Sequence, residues 1–192
     1  ITVTVNNSVP PPTNLIQNPS LETDADANNI PDHWLKGGWG TNNRAFTYPV
    51  PGTSGNAAKV EITSYTNGDA KWYAEDVPVV SGAEYVVSHV YNARINSEVL
   101  IRYTKANASV SYEFIQGLPA TAGAWQNFSH TGIVPADAVS MTVFHVIAGA
   151  GSLSVDNYSA KRTPYYMDPS QVLNLAASGH EVGGHTRTHV TL

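Results

Sequence analysis

Gly151-Ser-Leu-Ser-Val-Asp-Asn-Tyr-Ser-Ala-Lys161 is the stretch that decides the fold. Leu153, Val155 and Tyr158 stand among small polar residues, a pattern that suits a half-buried strand. The run Val155-Asp156-Asn157-Tyr158 reads as the last strand of a β-sandwich. That strand is expected to pair back near the start of the chain, at Asn14-Leu-Ile-Gln-Asn-Pro-Ser-Leu-Glu22. Residues 14–162 then form one closed module. Residues 1–13 are a strand with a proline-rich linker, and residues 163–192 belong to a different unit.

Working back from that strand, short β-type runs recur between turn signals. They are His33–Trp39, Arg44–Tyr48, Ala57–Thr63, Ala70–Val79, Glu84–Ala93, Val99–Lys105, Val110–Ile115, Trp125–His130, Ser140–Ala148 and Ser152–Lys161. Glu84–Ala93 alternates most cleanly, with Tyr85, Val87, His89 and Tyr91 on one face and Val86, Ser88 and Val90 on the other. About ten short strands broken by Gly, Pro and Asn predict an all-β sandwich or jelly roll. No segment between 14 and 162 has a helical period.

Composition narrows the partners. Only 13% of the 192 residues are charged and the net charge is −5. Nucleic acid or an anionic membrane surface demands a basic face, so neither is expected. There is no cysteine, which removes disulfides and thiolate metal sites. No apolar run approaches the ~20 residues of a membrane span. A polar, weakly charged surface suits a protein outside the cell, secreted or at the cell surface. No leader pattern is seen, so the expectation is a mature or internal piece.

The two flanks differ in texture. Ile1–Val5 (ITVTV) alternates β-branched residues, and Pro10-Pro11-Pro12 isolates it from the sandwich region. It is either the end of a preceding domain or an arm that pairs with another copy, in a fibre or surface layer. Beyond Thr163, Asp168-Pro-Ser-Gln171 has a helix cap, a proline at the first helical position and a capping Gln. Val172, Leu175 and Ala176 come next at helical spacing, and Gly179 ends the run. His185 and His189 then stand four apart, a spacing that brings two imidazoles to one metal on a helical turn.

Tyr166–Val190 (YMDPSQVLNLAASGHEVGGHTRTHV) resembles a motif region of the polysaccharide deacetylases, carbohydrate esterases that remove acetyl groups. The resemblance covers about the last 27 residues. It implies that His185 and His189 bind Zn²⁺ or another divalent ion that polarises the acetyl carbonyl and activates water. The family's Asp-Asp motif, in a Thr-Phe-Asp-Asp-Gly setting, is missing: Asp24 and Asp26 lie in a loop of the other module. The expectation is a short helical remnant of an α/β deacetylase domain, catalytically incomplete in this chain. An active deacetylase is the alternative.

Residues 14–162 resemble carbohydrate-binding modules with a galactose-binding-like jelly roll. The resemblance is carried by Asn14-Leu-Ile-x-Asn-Pro-Ser-Leu-Glu22, Pro31-x-x-Trp34, Gly82-x-x-Tyr85, Trp125 and Val155–Tyr158. It implies a polysaccharide or other glycan as partner, held by stacked aromatics and hydrogen-bonding side chains. Trp39, Trp72, Tyr91, Arg94, Arg102 and Tyr103 are the candidates, with Trp34 and Trp125 assigned to the core. It also implies a structural Ca²⁺ between the first and last strands, with Glu22 and Asp156 as ligands.

Overall fold

Alternating burial runs along most of the expected strands. The computed structural model describes residues 12–164 together with 178 and 179. Every regular element among the described residues is a strand: β1 (Trp34–Trp39), β2 (Asn42–Pro51), β3 (Asn56–Tyr65), β4 (Asp69–Ala74), β5 (Val77–Pro78), β6 (Glu84–Ala93), β7 (Ser97–Lys105), β8 (Val110–Leu118), β9 (Gln126–Ile133), β10 (Ala138–Val146) and β11 (Gly151–Arg162). The arm Ile1–Val5, the helix expected from Asp168, and His185 and His189 all lie outside the described residues.

One layer is a five-stranded antiparallel sheet in the order β2-β3-β11-β6-β9. The deciding stretch is thus the middle strand of its sheet. The expected pairing with the chain's start is present beside it. Leu15 N–H donates to the Ala160 carbonyl at 2.9 Å, and Tyr158 N–H donates to the Pro19 carbonyl at 2.8 Å. Asn14 bridges the same strand, donating to the Tyr158 carbonyl and accepting from Ala160 N–H.

The second layer has the order β5-β10-β7-β8, with the β1-β4 pair running on from it. Ala70 and Ile147 exchange backbone hydrogen bonds at 3.0 and 3.1 Å, and Thr142 Oγ1 donates to the Ala74 carbonyl at 2.7 Å. β4 and then β5 therefore lie along β10. The run Ala70–Val79, expected as one strand, is split at Glu75–Asp76.

Between the layers lies one apolar core. It takes in Leu21, Trp34, Val60, Ile62, Trp72, Val87, Tyr91, Ile101, Tyr103, Val143, Leu153 and Tyr158. Trp34 sits edge-on to Tyr158 at 5.0 Å and donates its indole N–H to the Asn18 carbonyl. Trp125, expected in this core, is only half-buried, in the turn before β9.

Candidate binding face

Strand alternation sends every second residue of the second layer away from the core. On β7, Ile101 and Tyr103 point inward, and Leu100 and Arg102 outward. On β10, Val143 and His145 point inward, and Phe144 outward. β10 is buried over nearly its whole length, so its outer face is covered as well as its inner one. The cover over Phe144 is made of side chains. Tyr73 lies edge-on at 4.9 Å, Lys71 Nζ is 4.7 Å from the ring centre, the Arg102 guanidinium is 5.2 Å away, and Tyr112 is at 6.2 Å.

This face continues in both directions. Lys71 is paired with Asp69 at 2.6 Å, and Asp69 accepts the Trp39 indole N–H at 2.9 Å. Arg102 is paired with Asp76, which also accepts from Thr104 and Ser140 at 2.8 and 3.1 Å. Trp39 is 63% exposed on β1, and Tyr112 and Phe114 are 59% and 60% exposed on β8. A row of aromatics with two neutralised cations between them thus crosses the layer. Gly37 keeps Tyr73 uncovered: a Cβ there would stand 2.8 Å from the Tyr73 ring. At one end the face runs into a cavity of about 550 Å³ lined by Asn96, Ser97, Glu98, Gly117, Leu118 and Ala148.

Of the expected ligand residues, Trp39 and Arg102 lie on this face. Three other candidates are corrected. Trp72 is 1% exposed, packs edge-on to Phe46 at 5.5 Å, and donates its indole N–H to the Lys59 carbonyl at 2.9 Å. Tyr91 is buried against His145 at 4.8 Å. Tyr103 is buried and donates to Glu113 at 3.0 Å, and burial raises its phenol pKa. Each stands next to a residue of opposite facing, so adjacency in sequence does not carry over to the surface. Arg94 is exposed beside Gly123, beyond the end of β6. Tyr73, Tyr112, Phe114 and Phe144 were not expected. The alternation Val110, Tyr112, Phe114 was the available signal.

Glu22 and Asp156 each reach the turn between β2 and β3. Glu22 accepts Asn56 N–H at 2.9 Å. Asp156, fully buried, accepts from Thr53 N–H, Thr53 Oγ1 and Asn157 Nδ2 on one oxygen, and from Asn157 N–H on the other. Two carboxylates on one turn are a hard-oxygen donor set of the kind Ca²⁺ takes. Asp24, Asp26 and Asp32 form a second acidic group, unexpected from sequence, with one oxygen of each within 4.8 Å of the others. These carboxylates accept from the loop N–H groups of Ala25, Asn28 and Asn29 and from the Asn28 amide.

No protein-family model and no curated protein matches the chain. Solved structures do. The enzymatically active domain of tailspike protein 4 of bacteriophage CBA120 is similar over 78% of this chain and 21% of its own, at 14% identity and a TM-score of 0.61. The CBM22-1–GH10 modules of Clostridium thermocellum xylanase 10B, solved with xylohexaose, are similar over 78% of this chain and 28% of theirs, at 16% identity and TM-score 0.56. A CBM4 structure is similar over 77% of this chain and 99% of its own, at 17% identity and TM-score 0.53. This chain thus spans about a fifth and about a quarter of the first two. The shared property is the fold, a β-sandwich like that of carbohydrate-binding modules.

Proposed function

We propose that the outer face of the second layer binds a polysaccharide chain outside the cell. The observation that carries this reading is the set of accessible rings Trp39, Tyr73, Tyr112 and Phe114, seated around the buried Phe144. Ring faces take up the apolar faces of sugars, and paired ions beside them offer hydrogen bonds to hydroxyls. Asp69–Lys71 and Asp76–Arg102 supply such pairs, and Glu98 reaches the end cavity. Nothing in this chemistry needs a cofactor. The test is affinity electrophoresis of the chain through gels containing xylan, mixed-linkage β-glucan or galactan. Retardation by at least one, reduced in Trp39→Ala and Tyr112→Ala, supports the reading. Free migration through a wider glycan panel refutes it.

Two further parts belong to the same reading. Ca²⁺ is proposed at the β2–β3 turn, held by Glu22 and Asp156, where it would tie that turn to the last strand. Residues 163–192 are proposed as part of a polysaccharide deacetylase segment on the strength of sequence resemblance. His185 and His189 would be its metal ligands, in a chain that lacks the family's Asp-Asp motif.

A further inference from the structure

Ser97 lines the end cavity, and behind it two imidazoles lead into the core. Ser97 Oγ is 2.8 Å from His145 Nε2, and His145 Nδ1 is 2.7 Å from His89 Nε2. All three residues are buried. His89 belongs to the five-stranded layer and His145 to the other, so this hydrogen bond joins the layers across the core.

His89 Nδ1 is buried with no hydrogen-bond partner among the described residues. A buried lone pair without a donor costs less than a buried N–H without an acceptor. His89 therefore carries its proton on Nε2 and donates to His145 Nδ1. Neutral His145 then carries its own proton on Nε2 and donates to Ser97. The row has the connectivity of nucleophile, base and orienting group. In this tautomer, however, His145 has no lone pair free for the Ser97 proton, so the row is a fastening and not a base.

We propose that Ser97, His145 and His89 form an acid-sensitive latch that holds the two layers together at the cavity end of the binding face. A proton that enters from the cavity meets His145 first. Protonated His145 presents N–H at Nδ1 to the N–H of His89, two donors in one hydrogen bond. Moving the His89 proton to Nδ1 relieves the clash but buries an unpaired N–H. Either route weakens the seam between β6 and β10.

Among the described residues, no charged group is paired with either imidazole. His89 faces Tyr158, stacked at 4.3 Å, with Phe128 and Tyr91 around it. His145 faces Tyr91, Ser97 and His89. Asp156, on the strand that carries Tyr158, is engaged with Thr53 and Asn157. Glu98 is exposed on the cavity wall, and Glu113 accepts from Tyr103. Burial holds His89 well below the ordinary imidazole value and lowers His145 to about 3. An opened form regains ordinary imidazoles near 6.5 and takes up more protons below that pH. Opening therefore grows as pH falls from about 6.5.

For its effect on a ligand the latch rests on the carbohydrate-binding reading; its structural part does not. The test is amide hydrogen exchange of the full chain at pH 7.5 and 5.0, corrected for intrinsic rates. Protection in β6 and β10 is expected to fall at least tenfold at pH 5.0, and to stay level in the double variant His89→Phe/His145→Met. Unchanged protection in the wild type, or an equal fall in the double variant, overturns the latch. The imidazole Cε1–H resonances decide the matter even where the double variant does not fold. An intact fold in which His89 or His145 titrates near 6.5 also overturns it. Xylohexaose binding at both pH values is measured alongside. Its absence at both counts against the binding face alone, while hydrogen exchange still decides the latch.

Discussion

Trp39 and Trp72 look alike as sugar-stacking candidates in sequence, yet replacing each with alanine should have opposite effects. Trp72 is 1% exposed and its indole N–H satisfies the Lys59 carbonyl. Trp72→Ala empties a core site, at about 3–5 kcal/mol. It also removes the hydrogen bond to the Lys59 carbonyl, adding about 1 kcal/mol. For a folded unit of this size each kcal/mol is worth about 2–4 °C, so the melting midpoint should fall by at least about 10 °C. Trp39 is 63% exposed, and its indole N–H donates to the Asp69 carboxylate. Trp39→Ala should cost at most about 1 kcal/mol of stability. If the ring is an anchor for a glycan, its loss should cost about 2 kcal/mol of binding, roughly thirtyfold. Differential scanning calorimetry and titration with the polysaccharide retarded in affinity electrophoresis measure both quantities on both variants. A Trp72→Ala protein of unchanged midpoint would refute the core assignment. A Trp39→Ala protein that binds as tightly as wild type would refute the anchor.

Other consequences are equally direct. Asp156→Ala should lower stability by about 3 kcal/mol, since it leaves Thr53 and Asn157 donors without an acceptor. EDTA should lower the wild-type midpoint and leave that of Asp156→Ala unmoved; equal midpoints with and without EDTA in the wild type would remove Ca²⁺ from the proposal. Gly37→Ala should push the Tyr73 ring and weaken glycan binding more than Gly117→Ala, where a Cβ meets open space; titration of the two variants compares them. The chain should release no acetate from acetylated xylan or chito-oligosaccharides with added Zn²⁺, and metal-dependent release abolished by His185→Ala would contradict the incomplete-enzyme reading. Deleting residues 1–9 should dissolve any oligomer seen by light scattering if Ile1–Val5 is an assembly arm, and a monomeric intact chain across the micromolar range argues against that role.

Much of the strand pattern was legible because burial enforces period two. Glu84–Ala93 buries Tyr85, Val87, His89 and Tyr91 as its alternation predicts. The start of the chain meets the last strand as expected, through Asn14, Leu15 and Pro19. What the sequence hides is the phase of strands that are apolar or aromatic on both faces. Lys71-Trp72-Tyr73 puts Lys71 and Tyr73 on the face and Trp72 in the core, Arg102-Tyr103 puts one residue on each, and a shift of one exchanges them. The sequence also does not announce that Phe144 is buried beneath charged side chains on the outside of its layer. That cover assembles from three strands distant in the chain. Tyr112 and Phe114 were readable as alternation but not as surface, because nothing local says that β8 is an outer strand.

The central place of β11 has a kinetic side. Its neighbours β3 and β6 are made about a hundred and about seventy residues earlier in sequence, yet each obtains its shared hydrogen-bonded edge only when Gly151–Arg162 arrives between them. Loops of that length are slow to close, so folding of this layer is dominated by late, long-range contacts. During synthesis the five-stranded sheet exists as two halves with open edges, which invite pairing with other chains. A nascent chain that stops before residue 151 should accordingly aggregate, whereas release of a few more residues converts it to a cooperative fold.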